Sequence, residues 1–464
     1  MEKIKIGFIP AYRDLFSREW AIEMKARTMK VLSTISSIEV ITPTEQLTTE
    51  GLVCNEKDAN KTIELFLKSK IDAILIGTMN FGEELPVMTV VEAFKDKSIM
   101  LFGTKEGDFT ENGCRRSDSF CGTLSISAGL HRRNMDFLFL GIVFPEEKIF
   151  SDKIITFAQT INIIKNIKCA KIGMIGPRPN PFETCTINEA YLVSKFGIRI
   201  HNISLLSLSQ EMKEVKDNDS EIKKILEEIG QKADCNQINH DNLLKLAKME
   251  KIIKRYIIQE GLTALALSCW PDIPNLLKLS PCLVTSRLTE LGVPTACEAD
   301  IYGAVSMLIQ YLASFGRDVP HFVDWTIQNQ KEENKFLSWH CGNAPMCLSD
   351  GNVKLANNSV GEKAYGKDNT ECTVEFQLKE GKVSLNSFVE YNGNCKMLIT
   401  NGEICNEAID LRGSWCWIKV PNLNKLYDKL ITEGFTHHTS MVYNNYSEAI
   451  SNFCDLVKIE KVVV

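Results

Sequence analysis

Between residues 3 and about 150, short apolar runs alternate with amphipathic stretches, and this alternation constrains the fold more than any other feature of the chain. The runs KIKIGFI, IEVIT, IDAILIG and SIMLFG are apolar at most positions, so strands made from them are buried on both faces. Residues 17–36, 56–69 and 85–95 lie between them with helical spacing of apolar side chains. Strands separated by helices predict a parallel sheet covered on both sides, because a parallel connection needs a crossover long enough to hold a helix.

A second series repeats this grammar: a helix from about 151, AKIGMIGPRP, a helix from about 183, IRIHNIS, a polar helical stretch over 218–258, TALALSC, GVPTACEAD and a helix over 302–315. After residue 330 the pattern changes. TVEFQLKEGKVSLNSFVEYNGNCKMLITNGEICN alternates Val374, Phe376 and Leu378 on one face. It breaks at Gly381, Asn392-Gly393 and Asn401-Gly402, which are hairpin signals because Asn and Gly tolerate positive φ. The expected fold class is α/β, with two doubly wound parallel-sheet domains (residues 1–150 and 151–325) followed by a β-rich, barrel-like C-terminal domain (326–464).

A chain of 464 residues, 44% hydrophobic, can bury several cores. Its net charge of -6 argues against a general attraction to nucleic acid or anionic lipid, so the expected partner is a small molecule. The start, MEKIKIGFIP, has no signal-peptide core, and no run approaches the roughly 18–20 apolar residues that cross a bilayer. The 16 cysteines are scattered, with no CxxC pair, which fits reduced thiols in the cytoplasm better than a disulfide framework or a zinc ribbon.

GxGxxG after the first strand, GxxxxGK[ST] and GxSxG are all absent, so the α/β domains lack the usual phosphate cradles and the nucleophile elbow. Open α/β sheets bind ligands at the C-terminal ends of their strands, and two such ends carry acids. TALALSCWPD leads into Asp272, and VPTACEAD leads into Glu298 and Asp300, which share a face if the strand continues that far. Asp300 is also placed to cap the helix that begins near Ile301. Of the 7 histidines, His321, His340, His437 and His438 fall in the last third of the chain. Adjacent histidines on a strand face opposite ways, so one of His437 and His438 can turn inward as a ligand. Carboxylates with one imidazole suit Mn²⁺ or Mg²⁺. Two carboxylates beside such an ion can move a proton between neighbouring carbons of a hydroxy-carbonyl compound, which is aldose–ketose isomerisation through an enediol. Metal-assisted aldol cleavage, epimerisation and binding without turnover use the same parts. Trp415 and Trp417 in GSWCWIKV offer either a sugar-stacking face or core packing.

The run CWPD…CLVTSRLTELGVPTACEADIYGAVSMLIQYL…HFVDW…WHCGNAP resembles the L-fucose isomerase and L-arabinose isomerase superfamily, in particular its fucose isomerase-like members. GFTHHT is similar to the arabinose isomerase segment that holds a metal-binding histidine, and IDAILIGTMNFGEE resembles an N-terminal active-site loop. The resemblance implies two α/β domains and a barrel-like domain, a homo-oligomer (hexamer or trimer), and Mn²⁺, with Mg²⁺ or Co²⁺ as alternatives. The ion would be held by two carboxylates and a histidine. Carried over by motif, Asp272 and Asp300 are the metal-binding and catalytic carboxylates, with Glu298 as the alternate, and His438 is the metal histidine, with His437 as its alternate. Related sequences more often carry Glu at the Asp272 position, a departure of one methylene. His340 and Arg13 are implied to contact the sugar, and the MNFGEE and RRSDSFCG segments to line a neighbour's site.

Overall fold

A computed structural model describes residues 2–405, 407 and 409–464, and the chain divides into two compact units, Met1–Lys165 and Asn166–Val464. In the first unit the apolar runs become β1 (Ile4–Ala11), β2 (Ile38–Ile41), β3 (Ala73–Thr78), β4 (Ser98–Thr104) and β5 (Phe137–Val143). They form one parallel sheet in the order β2-β1-β3-β4-β5. Every residue of β3 is buried, as a central strand with helices on both faces requires.

The strand order reverses between β1 and β3, and the loops that follow these parallel strands are tied together. Asn80 accepts a hydrogen bond from the Arg13 amide at 3.0 Å and donates to the Arg13 carbonyl at 3.0 Å. The helix Ser119–Arg132 seats on this knot through Gly122, where a β-carbon would lie 1.7 Å from the Phe81 carbonyl oxygen. Gly122→Ala is therefore expected to lower stability by about 1–3 kcal/mol, the range for overpacking, read as the shift in a urea unfolding midpoint.

In the second unit β6 (Lys171–Ile175), β7 (Arg199–Ile203), β8 (Ala264–Leu267) and β9 (Thr295–Cys297) make a parallel sheet ordered β7-β6-β8-β9. The remaining strands are β10 (His321–Gln328), β11 (Lys335–His340), β12 (Lys354–Asn357), β13 (Glu371–Gln377), β14 (Gly381–Tyr391), β15 (Asn394–Ile404), β16 (Ser414–Lys419), β17 (His438–Tyr443) and β18 (Glu460–Val463). They form a nine-stranded mixed sheet in which β16 pairs both with β11 and with β15. The strands β16-β11-β10-β17-β14-β15 thereby close into a barrel. Two parallel-sheet α/β layers and a large mixed-sheet C-terminal part are the architecture expected from the sequence.

The hairpin signals divide. Asn392 (φ 54°) and Gly393 (φ 82°) turn β14 into β15 with both residues left-handed, the geometry of a tight hairpin turn. Asn401-Gly402, expected as another turn, lies inside β15. Its glycine serves close approach: a β-carbon at Gly402 would stand 2.5 Å from Ile418, on the strand that β15 meets to close the barrel.

Candidate metal centre

β9 stops at Cys297, so strand alternation does not carry Glu298 and Asp300 onto one face. Glu298 (φ 59°) and Ala299 (φ 54°) are instead both left-handed, a conformation that costs non-glycine residues roughly 1–2 kcal/mol each. Hydrogen bonds from the Ala299 amide to the Leu267 carbonyl (3.1 Å) and from the Asp300 amide to the Cys297 carbonyl (3.0 Å) hold the turn. Asp300 then caps the helix Ile301–Ala313, accepting from the Gly303 amide at 2.9 Å.

His438 opens β17, and the antiparallel register with β10 sets it opposite Asp324. Its two ring nitrogens receive different partners. Nδ1 lies 2.8 Å from Asp300 Oδ2, while Nε2 faces Glu298 Oε2 at 2.8 Å and Asp324 Oδ1 at 3.8 Å. The Asp300 carboxylate can only accept, so Nδ1 carries a proton and Nε2 is the nitrogen that faces the other two acids. Although Glu298 Oε2 is close, its approach to Nε2 lacks hydrogen-bond geometry, and Nε2 and Asp324 Oδ1 are both buried without a hydrogen-bond partner. Two carboxylate oxygens facing one imidazole nitrogen, with Nε2 and Asp324 Oδ1 unpartnered, fit a divalent cation. Asp324, His437 and His438 have donor atoms close enough to share an ion, and so do Cys185, Asp300 and His438.

The protonation states follow from this packing. Burial works against charge on Glu298, but the pairing with His438 prevails and brings its carboxyl down to about 2. Burial also opposes charge on His438, yet its hydrogen bond to Asp300, with Cys185 and Glu298, holds the ring well above the ordinary imidazole value, so that without an ion Nε2 carries a proton that a bound cation would displace. Asp324 has no such partner, and burial lifts it to about 6. Glu298 is further fixed by Trp270, whose indole Nε1 donates to Oε1 at 3.0 Å.

Glu298, Asp324 and His437 line a cavity of about 380 Å³ together with Trp270, Trp339 and His340. Asp300 and His438 also border a more polar cavity of about 640 Å³ that reaches Tyr302 and Glu390.

The residues singled out in the sequence are thus partly brought together. Glu298, His438, His437 and His340 share the neighbourhood of the 380 Å³ cavity, and Asp300 stands behind the His438 ring. Asp272 is exposed in the first turn of the short helix Asp272–Leu277 and does not line that cavity, where Trp270 points in its stead. Trp415 and Trp417 are buried against Leu337 in a small apolar cluster, so core packing accounts for both, and Trp270 and Trp339 supply the aromatic walls. Arg13, in the first unit, pairs with Glu83 at 3.1 Å and lies over the Phe81 ring. Asp324 is not among the residues singled out in the sequence; its signal is an acid within the otherwise strand-like run HFVDWTI, on a strand whose partner carries the histidine.

Two family models match the chain: the fucose/sulfoquinovose isomerase N-terminal domain over residues 7–168 and the L-fucose isomerase C-terminal domain over residues 338–463. A sulfoquinovose isomerase of Priestia aryabhattai is 26% identical over 99% of both chains. Others from Alkalicoccus urumqiensis, 25% identical over 96% of both chains, and from a Clostridium species, 20% identical over 99% of both, align along nearly their whole length. With both domain models in their expected places and relatives matched end to end, the chain belongs to the fucose isomerase-like family of sugar isomerases.

Proposed function

We propose that this chain is a divalent-metal-dependent aldose–ketose isomerase acting on a free hexose, with a 6-sulfonated hexose as the substrate class. The observation that carries the metal reading is the approach of Glu298 Oε2 and Asp324 Oδ1 to His438 Nε2, with Asp324 Oδ1 and Nε2 buried without a hydrogen-bond partner. The substrate class is supported by the relatives, which are sulfoquinovose isomerases. Mn²⁺ suits two carboxylates and one imidazole, with Mg²⁺ or Co²⁺ as alternatives.

A cation bound by Glu298, Asp324 and His438 would polarise the substrate carbonyl and the neighbouring hydroxyl. The protein's own groups do the rest. Asp300 keeps the His438 proton on Nδ1 and so keeps Nε2 aimed at the site. Trp270 holds Glu298 in place through one oxygen and leaves the other free. Asp324, whose carboxylate faces the cavity, takes the proton from the carbon beside the carbonyl. Return of a proton to the adjacent carbon completes the aldose-to-ketose conversion. Trp270 and Trp339 offer aromatic surface to the C–H face of the sugar.

No described helix is long and apolar enough to cross a membrane. A reducing cytoplasm is supported by the 16 cysteines, all free. A homo-oligomer is supported by large apolar side chains left exposed in the first unit, among them Leu15, Leu85 and Phe109.

The test is solvent exchange. With Mn²⁺ and sulfoquinovose, deuterium from the solvent should enter C1 or C2 and the ketose should appear by NMR; absence of both with every hexose in a panel would refute the reading. Asp300→Asn is expected to weaken Mn²⁺ binding about 10–100-fold, the usual effect of losing a carboxylate that orients a metal-bound histidine. Asp272→Asn should leave it unchanged, since Asp272 is exposed and does not line the cavity. Isothermal titration of both variants separates the two acids, and equal losses would return Asp272 to the ligand set.

A further inference from the structure

The cavity wall holds a feature that neither the metal site nor the isomerase reaction uses. Cys269, Cys282 and Cys341 all line it. Cys341 Sγ lies 3.3 Å from His340 Nδ1. Cys282, the first residue of the helix Cys282–Glu290, neighbours Cys341 on this wall. Helix starts and neighbouring imidazolium groups are the surroundings that stabilise a thiolate. The Cys282 thiol beside it, followed by the charge on His340, brings the Cys341 thiol below its ordinary value despite burial. His340 is raised correspondingly to about 9: burial opposes its charge, but Cys341 and Asp324 outweigh it.

Cys269 and Cys297 form a contrasting pair. Their sulfurs are 3.1 Å apart, close enough to bond, but Cys297 is fully buried and does not line the cavity. Proximity alone would favour this pair, whereas access to the cavity and an imidazole neighbour favour the other.

We propose that Cys341 and Cys282 are a peroxide-sensitive modification site in the cavity wall, closing to a disulfide in which Cys341 is the attacking thiolate and Cys282 the resolving thiol. The Cys341 thiolate attacks one oxygen of hydrogen peroxide; the O–O bond breaks, giving Cys341 sulfenic acid and hydroxide. The Cys282 sulfur then attacks the sulfenic sulfur and displaces its oxygen, which leaves as water with the Cys282 proton, while the hydroxide of the first step takes a proton from solvent. Two thiols are oxidised by two electrons in total, and the peroxide is reduced to two waters. Closure takes the thiolate away from His340, a side chain that faces the same cavity. The proposal rests on the thiol–imidazole geometry, independently of the isomerase reading, and its test does not need turnover.

The experiment uses the full reduced chain. Limiting hydrogen peroxide, followed by alkylation, digestion and mass spectrometry, should yield the Cys282–Cys341 linked peptide before any Cys269–Cys297 link, and dithiothreitol should reverse it. In Cys282→Ser the resolving thiol is gone, so dimedone should trap a sulfenic acid on Cys341. Without oxidant, iodoacetamide at neutral pH should alkylate Cys341 about tenfold faster than Cys269 or Cys282 in the unaltered chain, a measurement that stands even if the variant fails to fold. A Cys269–Cys297 link forming first, dimedone on another cavity thiol, or equal alkylation rates for the three would overturn the assignment.

Discussion

Glu298→Gln is expected to abolish measurable Mn²⁺ binding and to lower kcat/KM by about 10³-fold or more, because Lewis-acid stabilisation is worth several kcal/mol and each 1.4 kcal/mol is about tenfold. The substitution keeps the size of the side chain and the acceptor for Trp270 Nε1, and removes the charge that faces His438 Nε2. Metal content after dialysis and steady-state kinetics read the two effects separately. A variant that keeps its metal would move the ion elsewhere; one that keeps metal and loses turnover would make Glu298 a proton carrier rather than a ligand. In the metal-free chain the same residue links stability to acid. Its folded value, about 2, lies below the ordinary 4.5, so its contribution is complete above 4.5 and fades as pH falls through 2. Glu298→Gln should accordingly flatten acid unfolding across that window, measured by circular dichroism.

The second large effect is expected on stability. Arg287, on the helix Cys282–Glu290, is buried between Glu250 (2.6 and 3.1 Å) and Glu228 (2.8 Å). Burial alone would lower its pKa, but the bonds to Glu250 more than offset that. Arg287→Met is expected to cost about 3–5 kcal/mol, since Glu250 would be left as a buried charge, with Lys254 Nζ at 3.8 Å as its remaining cation. Converting both residues, Arg287→Met with Glu250→Leu, should recover most of the loss, because two apolar groups in place of a buried ion pair are often neutral. Urea unfolding of the single and double variants checks the pair; a single-variant cost below about 1 kcal/mol would indicate that solvent reaches Glu250. The same helix borders the metal cavity through Cys282, and its Ser286 hydroxyl donates to the Ala344 carbonyl at 2.6 Å, so the loss should extend to the cavity wall.

The fold was more legible in the sequence than the site, and for a physical reason. A strand buried on both faces must be apolar along its length, so AILIGT or TALAL announces itself locally. FLFLGIV, the edge strand β5, was not singled out, although it is just as apolar. Asn392-Gly393 states its backbone conformation in its side chains, whereas Asn401-Gly402 carries the same letters for the sake of a neighbour that only the folded barrel supplies. In the site, Glu298 stands as the alternate to Asp300 by motif, and a shared face for the two acids depended on a continuing strand. Two left-handed residues after Cys297 turn the chain so that the acids address opposite nitrogens of one ring. Asp324 becomes visible only through its register with His438, more than a hundred residues away in the chain.

HHT alone does not say which imidazole meets Asp324, since sliding β17 along β10 by one place would exchange them. A sheet with open edges can tolerate such a slip, but here β17 is one stave of a hoop that β15 and β16 fasten at Gly402 and Ile418. The choice between twin ligands thus depends on a bare hydrogen at residue 402, on a strand that contains neither of them.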